Sequence, residues 1–306
     1  MNKLLIIIIL FTSGIVYGQK DTSYWTNGGQ FSINGSQTSF TNWASGGENQ
    51  ISAKASALLF AKYLKGNNSW DNLLMADLGT SRQGKQDYRK GDDKIEFNTK
   101  YGRKANDKWF YTALFNFKSQ FISGYDYVND TTKVLLSNFL APGYFKLGLG
   151  MDYKPNGDLS VFISPMTAKW TYVNDQNLAD AGSFGLDPAE MDANGNIISH
   201  ANKLRTEAGA LIRVAYKKDI WENVNFASIL EFYSNYLNNP QNIDVDWQFV
   251  FTFKVNKYLN AQLNGHLIYD DDVNINYDSN DDGILNASGP KVQFNEALSL
   301  GLVYKL

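Results

Sequence analysis

The chain has 306 residues, 28 Lys plus Arg against 31 Asp plus Glu, a formal net charge of -3 and no cysteine. This balance offers no basic patch for nucleic acid, and the lack of cysteine excludes disulfides, zinc–thiolate sites, thiol catalysis and a lipid-modified N-terminal cysteine. Mean hydropathy is -0.34, too polar for a helical membrane protein, while aromatic residues make up 14 % of the chain; a transmembrane β-barrel needs that combination, because only alternate side chains of each strand meet lipid.

Residues 1–18 read as an export signal: Lys3 gives the positive start, an apolar run follows from Leu4 to Phe11, and Val16-Tyr17-Gly18 precedes the cleavage point before Gln19. No later run reaches the ~20 apolar residues of a spanning helix. An exported chain that crosses a membrane must then do so as a closed barrel, because lipid satisfies no open strand edge. Residues 19–306 are assigned to that barrel.

Twelve segments alternate with the period of two that gives a strand one oily and one wet face. They cover 29–40, 51–64, 70–80, 94–103, 109–120, 143–153, 159–173, 205–216, 224–237, 243–255, 259–269 and 292–306. The clearest is 243–255, where Ile243, Val245, Trp247, Phe249, Phe251, Phe253 and Val255 alternate with Asp244, Asp246, Gln248, Val250, Thr252 and Lys254. Pro155-Asn156-Gly157-Asp158 is a hairpin turn, and Pro165 breaks the alternation of 159–173 and predicts a bulge, since proline cannot donate to the ladder. The last segment ends on Leu306, two positions after Tyr304, like the C-terminal signature read by the outer-membrane assembly machinery.

The connections separate a membrane barrel from a secreted soluble sandwich. They alternate brief (65–68, 104–107, 154–158, 217–223, 256–257) and long (81–93, 121–142, 174–203, 271–290), with 238–242 as the exception. Transmembrane barrels have short periplasmic turns and longer external loops, so both termini fall in the periplasm of a Gram-negative cell. Trp70, Trp109, Tyr153, Tyr216, Trp221, Tyr258 and Tyr304 cluster at the turn ends, as an interfacial girdle requires. The expected fold is an all-β, antiparallel transmembrane β-barrel of about twelve strands.

The string Asn42-Trp43-Ala44-Ser45-Gly46-Gly47, with Trp25 and Gly28-Gly29 before it, resembles the N-terminal motif of a Bacteroidota outer-membrane β-barrel family that carries a domain of unknown function over almost the whole mature chain. The resemblance implies envelope location and a porin-like barrel, and no catalytic residue. Trp43, Gly46 and Gly47 are candidate loop residues, either docking a partner or plugging the barrel, since glycine lets the backbone turn tightly while the indole folds back.

Asp278, Asn280 and Asp282 match the first half of a calcium loop, D-x-N-x-D-G, closed by Gly283, with Asp270-Asp271-Asp272 nearby; Gly289 stands where the acidic twelfth position belongs. A solvated acidic hairpin is the competing reading, so Ca2+ is a candidate and not an assigned cofactor. Asp192 to Asn196 reads as a turn, and His200 sits in a loop of ordinary loop composition. Lys100, Arg205, Glu207, Arg213, Asp244, Asp246, Lys254 and His266 are expected to line the lumen. Their mixed signs fit either a water-filled passage or a plug of cross-linking ion pairs. No nucleophile has a spacing that makes His266 catalytic, so no enzyme is predicted.

The sequence therefore predicts a monomeric porin-like outer-membrane barrel for small hydrophilic solutes. The alternative is a non-conducting envelope barrel serving as a subunit or docking partner of a larger complex. Expected partners are outer-membrane lipid and lipopolysaccharide, the assembly machinery during insertion and, under the alternative, other envelope proteins.

Overall fold

The computed structural model of the protein describes residues 24–39, 48–127, 132–280 and 286–306. The export segment 1–18, the motif residues Trp43, Gly46 and Gly47, and Asp282 of the candidate calcium loop lie outside the described residues.

Twelve long strands form the wall: β1 (Trp25–Thr38), β2 (Gln50–Lys65), β3 (Asn68–Gln83), β4 (Arg89–Lys104), β5 (Trp109–Ser119), β6 (Gly143–Tyr153), β7 (Leu159–Tyr172), β8 (Leu204–Trp221), β9 (Val224–Asn235), β10 (Asp244–Lys254), β11 (Leu259–Tyr269) and β12 (Gln293–Lys305). Each pairs antiparallel with its chain neighbours, and β1 closes the ring against β12. The wall is inside-out compared with a soluble protein. Leu298, Met166 and Ile33 are 72 %, 69 % and 68 % exposed, while Asp152 and Glu207 are 0 % and 2 % exposed. Apolar side chains outside and charged ones inside suit lipid around the barrel. No helix among the described residues is long and apolar enough to cross a membrane.

Three of the five short turns share a local device. Asn106 Oδ1 accepts from the amides of Lys108 and Trp109, Asn156 Oδ1 from Asp158 and Leu159, and Asn256 Oδ1 from Tyr258 and Leu259. Asparagine side chains mimic a backbone turn in this way, which stops one strand and starts the next within a few residues. Asn223, at a φ of 63°, makes the two-residue turn between β8 and β9, a left-handed position asparagine tolerates. Trp25 and Lys305 stand at the same end as these turns. Rings stack there, Trp25 on Tyr63 at 5.2 Å and on Trp70 at 5.7 Å, and Trp109 on Tyr153 at 4.9 Å.

Several boundaries differ from the sequence expectation. The long connection expected at 81–93 is mostly strand, because β3 and β4 continue pairing through Thr80–Lys90 and Ser81–Arg89, leaving only 84–88 as a loop. Beyond lipid both faces of a strand can be polar, so the alternation that marks the belt fades while the ladder persists. For the same reason β8 runs to Trp221, and the turn expected at 217–223 shrinks to 222–223. The ladder shifts register between Leu149 and Met151 on β6 and between Gly209 and Leu211 on β8, both opposite the Pro165 region of β7.

The connection 173–203 is a folded element. Asp175 caps a short helix (Gln176–Asp180) by accepting from the amides of Asn177 and Leu178. A two-stranded hairpin follows, Glu190–Met191 against Ile197–Ser199. Leu178, Ala179 and Leu186 bury against Val173 and against Ala141 of the 120–142 connection, with Leu135, Phe184 and Ala201 around them. Together these connections cap one end of the barrel.

Candidate functional site

Inward alternation aims the charged side chains of opposite walls at one another. Lys118 on β5 donates to Asp246 Oδ2 on β10 at 3.2 Å, and Lys94 on β4 to Gln248 Oε1 on β10 at 3.2 Å. Lys146 on β6 meets Glu231 on β9 at 2.5 Å, and Arg213 on β8 pairs with the other oxygen of the same carboxylate. Lys169 on β7 bridges Glu207 at 3.4 Å and Asp244 at 3.3 Å. Arg213–Glu231 and Lys169–Glu207 are cross-strand partners on adjacent strands; the other pairs join strands that are not neighbours, so their side chains cross the lumen.

The predicted lumen residues fall on this network or at its two ends. Lys100 bonds Asp152 at 2.6 Å and Ser160 at 2.7 Å. Asp152 lies 3.5 Å from Lys154, which reaches Asp71 at 2.9 Å. His266 Nε2 lies 2.9 Å from Asp246 Oδ1, its only polar partner among the described residues, with no hydroxyl nucleophile on it. Lys254 is apart from the others, half-exposed at the short-turn mouth and 3.8 Å from Asp219. Arg205 stands at the opposite mouth, donating to Gly185 O of the cap at 2.7 Å and pairing with Asp272.

Sequence reasoning missed an apolar layer. Leu114, Phe162, Leu211 and Tyr233 form a buried cluster inside the ring. Each is the inward residue of its strand, and a single apolar residue on a polar face leaves no periodic trace. Beside it a cavity of about 120 Å³, lined among others by Glu96, Lys118, Lys146, Arg213, Tyr233 and Asp246, has room for several waters. Asn98 and Asn116 both donate to Glu96 Oε1, at 3.0 and 3.1 Å. The lumen is thus filled partly by carbon and partly by paired charge.

In the cap, Asp180 accepts from Gln176 at 2.8 Å and from the Ala201 amide at 2.8 Å, and lies 2.7 Å from His200 Nδ1. Desolvation opposes ionisation here, but hydrogen bonds from Gln176, His200 and the Ala201 amide win and hold the carboxyl below the usual aspartate range. Asp192 is also held low, by the Asn196 side chain and backbone amides of its turn. In the candidate calcium loop, Asp278 Oδ1 accepts from the Asn280 amide at 3.0 Å and Asn280 Oδ1 from Asn286 Nδ2 at 2.6 Å, so two of its oxygens already hold the turn. Among the described residues no three His, Asp or Glu side chains converge as a metal site.

A family described as "protein of unknown function" (DUF3078) matches residues 35–125. That is less than a third of the chain, where the motif resemblance implied almost all of the mature protein. No curated protein matches. Similar solved structures include the translocator domain of the autotransporter NalP from Neisseria meningitidis, at 11 % identity and a TM-score of 0.38, covering 93 % of this chain and 89 % of that one. The COG4313 outer membrane channel from Pseudomonas putida F1 is similar at 12 % identity and a TM-score of 0.38, over 94 % and 100 % of the two chains. The toluene transporter TodX of P. putida gives 11 % identity and a TM-score of 0.30, over 93 % and 79 %. The architecture described above rests on this chain's own strand register.

Proposed function

We propose that the chain is a monomeric outer-membrane barrel of a Gram-negative cell that passes small hydrophilic solutes in a porin-like manner. Its turns and termini face the periplasm, its long connections face outward, and its belt contacts lipid and lipopolysaccharide after insertion by the assembly machinery. The observation that carries this reading is the cavity of about 120 Å³ left among side chains that meet across the lumen, Lys118 with Asp246 and Lys146 with Glu231. Such a constriction is made of side chains and not of backbone, so it narrows the lumen to small polar species while lysine stems swing between partners. Reconstitution in planar bilayers tests it: small conductance steps are expected, growing when Lys118→Ala or Asp246→Ala clears the bridge. Silence in the native chain and in both variants overturns conduction.

The apolar layer around Phe162 and Leu211 favours a second reading, a non-conducting barrel that serves a larger envelope complex. Trp43, Gly46 and Gly47 would then act in docking. Under this reading affinity purification from native membranes returns stoichiometric envelope proteins, and the bilayer stays silent.

A further inference from the structure

The ring closes on its shortest seam. β1 and β12 pair only from Gln30–Lys305 to Gly35–Leu300, six residue pairs, plus a flanking bond from the Leu306 amide to Gly29 O. Every other wall seam has ten or more pairs. Beyond Gly35, Ser36 to Thr38 still pair with β2, and Gln293 to Ser299 still pair with β11. Those stretches of β1 and β12 share no register pair with each other among the described residues.

The side chains at the break are consistent with a parted seam. Continued register would set Ser36 opposite Ser299. The Ser36 hydroxyl instead bonds that of Ser52 on β2 at 2.7 Å, and Ser299 Oγ is buried without a hydrogen-bond partner. Asn264 Nδ2 on the adjacent β11 is a second buried orphan. Both side chains face the lumen, while Phe294, Leu298 and Leu300 face outward.

The gap lies at membrane depth. Leu298 is six residues from the girdle residue Tyr304, about 20 Å along the strand and roughly 15 Å in height at the usual tilt, inside an apolar band about 25 Å tall. Unpaired strand edges do not persist against hydrocarbon unless something polar covers them. The occupant must therefore present hydrogen-bonding groups inward and apolar surface outward.

The geometry points to a lateral slot between Ser36–Thr38 and Ala297–Ser299 that parts to take a lipid-like amphiphile, uncovering Ser299 Oγ and Asn264 Nδ2, buried while the slot is empty, to its head group, with its chain lying among the outer leucines. This route is sideways and independent of axial conduction. The chain has no cysteine, so an engineered pair is the only disulfide it can form.

The test uses the full barrel in phosphatidylethanolamine–phosphatidylglycerol vesicles with a trace of lysophosphatidylethanolamine bearing a diazirine on its head group. Illumination and peptide mass spectrometry are expected to place label on Ser52, Asn264 and Ser299. Oxidation of Ser36→Cys/Ser299→Cys should abolish that labelling, and reduction should restore it. Thr38→Cys/Ala297→Cys is the second lock, should the first pair impair folding. If neither pair cross-links while luminal labelling persists, the label enters along the axis and the inference fails. Luminal residues that stay unlabelled in the native chain overturn it, as does labelling unchanged by a formed disulfide, or a native mass showing a second copy added along β12.

Discussion

Lys118 Nζ reaches Asp246 Oδ2 at 3.2 Å although β5 and β10 stand five places apart around the ring. Asp246 also holds His266 through its other oxygen, at 2.9 Å. The carboxylate is therefore the hub, and the two substitutions are unequal. Asp246→Asn leaves Lys118 without its counter-charge and weakens the His266 contact, which should cost about 1–3 kcal/mol. Lys118→Ala leaves Asp246 with His266 and should cost less. Urea unfolding from vesicles, followed by tryptophan emission, reads the order; equal effects would mean the hub is not Asp246.

Leu211 and Phe162 are both fully buried inside the ring. Were these two side chains loosely held and bathed in water, truncating them would cost nothing or stabilise the barrel. Because they pack with Leu114 and Tyr233, Leu211→Ala should lower stability by about 2–5 kcal/mol, as for cavities in soluble cores. The same unfolding assay decides between the two.

The sequence shows the belt well and the ends poorly, for physical reasons. In β10, lipid on one face and charge on the other force alternation, so Trp247 and Asp246 can be assigned faces from the sequence. At Thr80–Lys90 neither face meets lipid, the pattern vanishes, and a strand looks like a loop. The candidate lumen charges share one face with their neighbours, but their partners do not show: Lys118 and Asp246 are 128 residues apart. Leu114, Phe162 and Leu211 were invisible because each interrupts a polar face on a different strand. The cap was missed because its helix, Gln176–Asp180, is too short to carry a period. Its signal was local, the N-cap residue Asp175.

Acid should loosen the cap before the wall. Asp180 has its carboxyl lowered in the folded state, so its contribution is complete above the ordinary aspartate pKa of about 4 and is lost as pH falls through the lower folded value. The protection factors for hydrogen exchange across 176–203, which remove the intrinsic pH dependence, should therefore fall as pH drops below about 4, while the barrel keeps its compact form on gels. Asp180→Asn keeps the shape but not the charge, so its exchange should be raised already at neutral pH. A cap equally protected at pH 3 and pH 7 would exclude this role.

The bulge in β7 depends on a glycine across the seam. Pro165 removes one donor from the ladder, and the register slips between Leu149 and Met151 of β6, where Gly150 stands. A Cβ built on Gly150 would lie 2.0 Å from Ile163 O and 2.7 Å from Ser164 Cα. Both are backbone atoms of the bulged strand, so no rotamer change relieves the overlap. The register shift at this point thus depends on the absence of a side chain on β6. Gly150→Ala should force β6 and β7 apart and cost about 1–3 kcal/mol. A barrel that resists SDS until boiled reports this simply, since folded and unfolded forms migrate differently. Gly150→Ala should lose the folded band at a lower temperature than the native chain. Gly157, with open space around it in the turn between the same two strands, is the control, and Gly157→Ala should leave the transition where it is. Equal shifts for both variants would assign the effect to general glycine loss and not to contact with the bulge.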